Sequence, residues 1–161
     1  MFLFNHKYVP PGQLNGTAAE WKAHGESVAL ALGCFDLVHV GCVRFLQDAA
    51  AHGRLIVGVY EDADVTAIRG PGRPILSLEH RMVMTAAFAC VSAVTPVTVA
   101  GITDAILAAA PDFVVVGSDQ EDLCKKIGVD TKISTSCRVV AMGGQWQTCS
   151  EWVVKKVQGM N

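Results

Sequence analysis

The sequence predicts one α/β domain built on a doubly wound parallel sheet, and three observations carry that reading. Short, uniformly apolar runs recur along the chain, at residues 28–32, 55–60 and 113–116. A parallel strand is covered on both faces, so it reads as a continuous apolar run and not as an alternation. Between these runs lie segments with apolar residues at helical spacing, joined by short connections. Strand, helix and strand repeated in this way give a parallel sheet with helices on both faces. Finally, the chain has 161 residues, of which 51% are hydrophobic and 17% charged. That length suits a single domain, and that composition can bury a core without disulfide staples.

The elements follow in order. Residues 1–17 contain Pro10-Pro11-Gly12 and Asn15-Gly16 and read as an irregular N-terminal arm, leaving 18–161 as the domain proper. A short helix is expected over 17–24, anchored by Trp21 and ended by Gly25. The strand over 28–32 runs into Gly33. A helix follows over 39–52, where Val43, Leu46 and Ala50 recur at helical spacing before Gly53. After the strand over 55–60, residues 61–76 read as a loop holding Arg69-Gly70-Pro71-Gly72-Arg73-Pro74. Ser77 is placed to cap a helix running to Ala89, with Glu79 in its first turn, where the helix dipole favours an anion. A strand over 92–97 is expected next, then a short helix capped by Thr103, then the strand over 113–116 ending at Gly117-Ser118-Asp119. A helix over 120–127, a strand over 137–142 and a last helix over 150–157 complete the pattern.

Bulk properties exclude several classes. A net charge of −2 offers no basic face for nucleic acid. No apolar run approaches the roughly eighteen residues of a membrane span. The N-terminus turns polar at Asn5, too early for a signal peptide. The six cysteines are scattered, with no CxxC pair and no histidine-rich zinc pattern. Reduced thiols and a cytoplasmic location are therefore expected.

The candidate site is the turn after the first strand. Gly33 suits a tight turn where a side chain would obstruct a ligand. His39 falls at the start of the next helix, where free backbone amides and the dipole attract phosphate. The turn lacks the Gly-x-Gly-x-x-Gly of dinucleotide-binding oxidoreductases.

Residues 33–42 read Gly-Cys-Phe-Asp-Leu-Val-His-Val-Gly-Cys. They resemble the signature Gly-x-Phe-Asp-x-x-His-x-Gly-His of the cytidylyltransferase-like nucleotidyltransferases, with Cys42 in place of the second histidine. The stretch from Ala19-Glu20-Trp21-Lys22 through the turn is similar to the lead-in of bacterial heptose 1-phosphate nucleotidyltransferases. Arg69 to Pro74 and Leu78-Glu79-His80-Arg81-Met82 resemble the loop and helix of those enzymes and of glycerol-3-phosphate cytidylyltransferases. Residues 111–119 resemble the strand that ends there in Gly-Gly-Asp or Gly-Asp-Asp.

The resemblance, over about residues 18–158, implies a Rossmann-like domain, a homodimer, and a Mg²⁺-assisted reaction. In that reaction a phosphate ester attacks the α-phosphorus of a nucleoside triphosphate and pyrophosphate leaves. It implies catalytic roles for His39, Cys42 and Arg69, the last standing where a phosphate-binding lysine is usual. It implies nucleotide contacts from Gly33, Cys34, Phe35, Asp36, Gly41, Arg73, Arg81, Gly117 and Asp119. The family's closing Ser-Thr-Thr-like motif aligns, by order of elements, to residues 148–151, where Ser150 keeps a hydroxyl and Glu151 replaces a threonine.

Cys42 and Glu151 define a second reading, a degenerate homologue that binds nucleotide or serves as a subunit without turnover. A third is a redox-responsive protein using Cys42 at a helix N-terminus.

Overall fold

The computed structural model describes residues 6–117 and 137–142, together with Val154, Lys156, Val157 and Gly159. Among the described residues the strands are β1 (Val28–Gly33), β2 (Arg54–Tyr60), β3 (Val91–Val97), β4 (Phe113–Gly117) and β5 (Arg138–Met142). They form one sheet in the order β3-β2-β1-β4-β5, every pair parallel. The chain moves outward from β1 through β2 to β3, then crosses back to lay β4 on the other side of β1. This reversal makes the carboxyl ends of β1 and β4 the topological switch point, where open α/β sheets bind ligands.

Five helices are described: α1 (Leu14–Ala23), α2 (Val40–Ala50), α3 (Asp62–Arg69), α4 (Leu78–Ala86) and α5 (Ile102–Ala109). The period-2 geometry of β1 sorts its side chains between two cores. Val28, Leu30 and Leu32 join Leu14 and Ala18 of α1 and Ile102 and Ile106 of α5. Ala29 and Ala31 join Leu46 and Ala49 of α2 and Met82 and Ala86 of α4. Burying each large apolar side chain contributes about 1.5–3 kcal/mol, so these two layers supply most of the drive to fold. Gly58 of β2 makes room for the bulkier layer. A Cβ there would sit 2.6 Å from Leu32 Cδ2 and 2.9 Å from Val97 Cγ2.

The structure departs from the sequence pattern in three places. α1 begins at Leu14, after a 3₁₀ turn at Pro11–Gln13, although Asn15-Gly16 signals a turn. Burial of Leu14 and Ala18 on one helix face overrides that local signal. Part of the expected loop over 61–76 is the helix α3. Asp62 and Asp64 occupy its first turn, Val65 is buried, and Gly70 ends it at φ 90°. A helix this short with one buried residue leaves almost no periodic trace. Thr103 lies inside α5, whose N-cap is Gly101. The hydroxyl that accepts the Gly101 amide is that of Thr98, at 3.0 Å.

Residues Lys7 to Val9 run along the β3 edge. Tyr8 bridges Val94, the Val9 amide donates to the Val94 carbonyl at 2.9 Å, and the Val94 amide to the Lys7 carbonyl at 2.8 Å. Lys7 Nζ donates to the carbonyls of Ala86 and Phe88, both at 2.9 Å, and so caps the end of α4. No described helix is long and apolar enough to cross a membrane. The expected helix over 120–127 lies outside the described residues, while Val154, Lys156 and Val157, within the expected last helix, are helical.

Candidate functional site

The turn leaving β1 is held from below and from the side. Phe35 has φ 48°, a left-handed conformation that a bulky residue adopts only where its surroundings enforce it. Its ring is buried against Gly33 and lies 6.3 Å, centroid to centroid, from Phe45. A Cβ on Gly33 would come within 2.9 Å of Phe35 Cε2. In the structure the glycine thus makes room for the chain's own aromatic ring, where sequence reasoning reserved the space for a ligand.

Asp36 is 3% exposed and both of its oxygens are engaged. Oδ2 accepts from Arg73 Nε at 2.6 Å, and Oδ1 accepts from the amides of Ile75 at 2.8 Å and Leu76 at 2.9 Å. The loop that carries Arg73 is thereby fastened to the turn. The Thr66 hydroxyl donates to the Arg73 carbonyl at 2.6 Å and fastens the same loop to α3.

Arg81 is placed differently from the expectation. It is fully buried, and its donors point into the protein. Nη1 donates to the Cys34 carbonyl at 2.6 Å, Nη2 to the Tyr60 carbonyl at 2.7 Å and to Asp62 Oδ1 at 2.6 Å, and Nε to the Leu76 carbonyl at 3.0 Å. One guanidinium therefore joins the ends of β1 and β2, the start of α3 and the loop before α4. The guanidinium is thus an internal tie, where the resemblance implied a nucleotide contact. Arg81 shares the inward side of α4 with Met82 and Thr85, both buried.

His39 is the N-cap of α2, with φ −135° and ψ 176°, and its Nδ1 accepts from the Gly41 amide at 3.1 Å. Burial pushes its pKa below the ordinary 6.5, so the ring is neutral at neutral pH. Cys42 is half-buried in the first turn of α2, with Sγ 4.0 Å from the Leu37 carbonyl oxygen. Arg69 is half-buried in the last turn of α3. Gly117 ends β4, and the register Ala31↔Val115 carries β1 and β4 to the same edge of the sheet. Asp119 and Ser150, with the rest of the 148–151 motif, lie outside the described residues.

The structure thus gathers Gly33, Cys34, Phe35, Asp36, His39, Gly41 and Cys42 in one turn and helix start, with Arg73 pinned beside them. A helix N-terminus presents unpaired amides and a partial positive charge, which suits a phosphate. This architecture defines a parallel, Rossmann-like α/β domain with its motif turn at the switch point.

Within that class, the chain belongs to the cytidylyltransferase-like family, whose sequence profile matches residues 30–150. Membership places it among nucleotidyltransferases. It is similar to the bifunctional protein HldE of Pseudomonas fluorescens strain SBW25, with 34% identity over 138 residues, 85% of this chain and 29% of that protein. HldE of Alkalilimnicola ehrlichii is 40% identical over 110 residues, 68% of this chain and 23% of that protein. The chain spans under a third of the length of these curated relatives. Among solved structures, the lipopolysaccharide core biosynthesis protein of Thermoplasma volcanium GSS1 superimposes with a TM-score of 0.62 at 24% identity, covering 73% of this chain and 97% of that one. A pantoate-β-alanine ligase of Francisella tularensis, complexed with βγ-ATP and β-alanine, gives 0.57 at 11% identity, covering 87% and 68%. These two likenesses concern the fold.

Proposed function

We propose that the domain couples a nucleoside triphosphate, CTP or ATP, to a sugar phosphate or polyol phosphate and releases pyrophosphate. The observation that carries the reading is the position of residues 33–42, at the carboxyl end of β1 beside β4, leading into the helix that His39 caps. An oxygen of the phosphate monoester attacks the α-phosphorus. The new P–O bond forms as the bond to the β-phosphate bridging oxygen breaks, and pyrophosphate leaves with that electron pair. Such a displacement asks the protein for positioning and charge stabilisation more than for covalent chemistry. His39 donates to the phosphates, the positive end of the α2 dipole favours them, and Arg69 stands at the rim to neutralise charge.

Mg²⁺ belongs to this reading as the ion that travels with the triphosphate, where it would offset phosphate charge. The motif's carboxylate, Asp36, is committed to Arg73 and to two amides, so it is not set out as a metal ligand. The reading also includes a homodimer in the cytoplasm.

The test is pyrophosphate release by the purified chain with Mg²⁺ across a panel of triphosphates and phosphate esters. Release is expected for one pair, and His39→Ala should lower it by on the order of a hundredfold or more. Cys42→His restores a donor and should raise the rate by on the order of tenfold or more. No release from any pair would overturn the proposal.

A further inference from the structure

The hydrogen bond between Gly41 and His39 fixes more than a helix cap. A backbone amide can only donate, so the His39 nitrogen that faces it, Nδ1 at 3.1 Å, must offer a lone pair. A neutral imidazole carries one proton, and with Nδ1 as acceptor that proton sits on Nε2. An imidazolium would set a second N–H against the Gly41 amide and break the cap. We infer that the Gly41 amide is a positioning group that holds His39 as the neutral Nε2–H tautomer, so the ring meets phosphate as a fixed neutral donor.

Three further observations fit this assignment. His39 has extended backbone angles, which turn its side chain back over the first turn of α2. Burial works against a charge on the ring. Cys42, three residues on, carries no second imidazole to share a proton. The ring is thereby aimed and its donor atom chosen before any ligand arrives, which is preorganisation in the sense that matters for a transition state. The inference rests on the reading of this turn as a phosphate site for what Nε2 meets. The tautomer itself does not depend on that reading.

The experiment uses the full chain labelled with ¹⁵N and long-range proton–nitrogen spectra of its imidazoles, with the His39 signals assigned by their loss in His39→Asn. Near neutral pH, His39 is expected to show a pyridine-like Nδ1 and a pyrrole-like Nε2. Gly41→Pro removes the amide proton at the second position of α2. It should convert the His39 pattern to a mixture of tautomers and lower kcat by about tenfold or more, with a smaller change in KM. Gly41→Ala keeps the amide and should keep the wild-type pattern. A pyrrole-like Nδ1 in the wild type, or an unchanged pattern in folded Gly41→Pro, overturns the inference. The spectra need no substrate. If they show the expected tautomer while no pyrophosphate is released, the proposed function fails and this assignment stands.

Discussion

On the face covered by α1 and α5, β1 points Val28, Leu30 and Leu32 into the core; on the face covered by α2 and α4 it points Ala29 and Ala31. The first face gains burial from large side chains. The second gives up some of that burial, and the small alanines let α2 lie close to the strand. Close packing there carries the N-terminus of α2 to the end of β1, where the phosphate site is proposed. Charged groups replace apolar bulk at the rim of the second face, with Arg81 and Asp36 both buried and hydrogen-bonded. One strand thus serves the core with its larger side chains and the site with its smaller ones.

Four substitutions or conditions separate the two faces. The largest effect is expected from Arg81→Met, which leaves the carbonyls of Cys34, Tyr60 and Leu76 without this donor. Breaking such a buried charged tie costs about 3–5 kcal/mol, measurable as a lower urea midpoint. A stable Arg81→Met chain would mean that the rim of the second face holds without its tie. Leu30→Ala tests the bulky face. It should cost about 3 kcal/mol and leave kcat unchanged at temperatures where the chain stays folded.

Ala31→Val tests the close approach of α2. Overpacking should cost about 1–2 kcal/mol, yet here kcat should fall, because displacing α2 moves the helix start. A variant with normal kcat would show that the alanine stripe does not set the site. The smallest effect is the pH response of His39. Its pKa is lowered in the fold from 6.5, so the folded state binds fewer protons there than the unfolded chain. The stability it contributes is therefore fully present above about pH 6.5 and lost as pH falls through the folded pKa. Thermal unfolding at neutral and mildly acidic pH should show a steeper acid loss for the wild type than for His39→Asn.

Much of this layout was legible in the sequence, for reasons that also explain what was not. β1, β2 and β4 are runs of apolar residues covered on both sides, and such runs need no partner to be recognised. His39 at a helix start followed from the spacing of Val43, Leu46 and Ala50. By contrast, α3 buries one residue in its length and left no pattern to read. The duties of Arg81 and Asp36 were hidden because they are defined by partners far along the chain. Arg81 reaches back to Cys34 and Tyr60, and Asp36 reaches forward to Arg73, Ile75 and Leu76. Periodicity can place such a residue on an inner face, but it does not name the carbonyl or amide that receives it.

The tie made by Arg81 has a consequence for anyone who treats residues 33–42 as a portable cassette. Those letters are contiguous, but the turn they form is held through Tyr60, Asp62, Leu76 and Arg81, and through Asp36 to Arg73 and Ile75. A peptide of that segment, or its transplant onto another parallel sheet, would carry the motif without its shape. A successful graft has to move the buried arginine and the 73–76 loop along with the motif. The smallest unit that can be engineered is therefore the block from β1 through α4, not the signature alone.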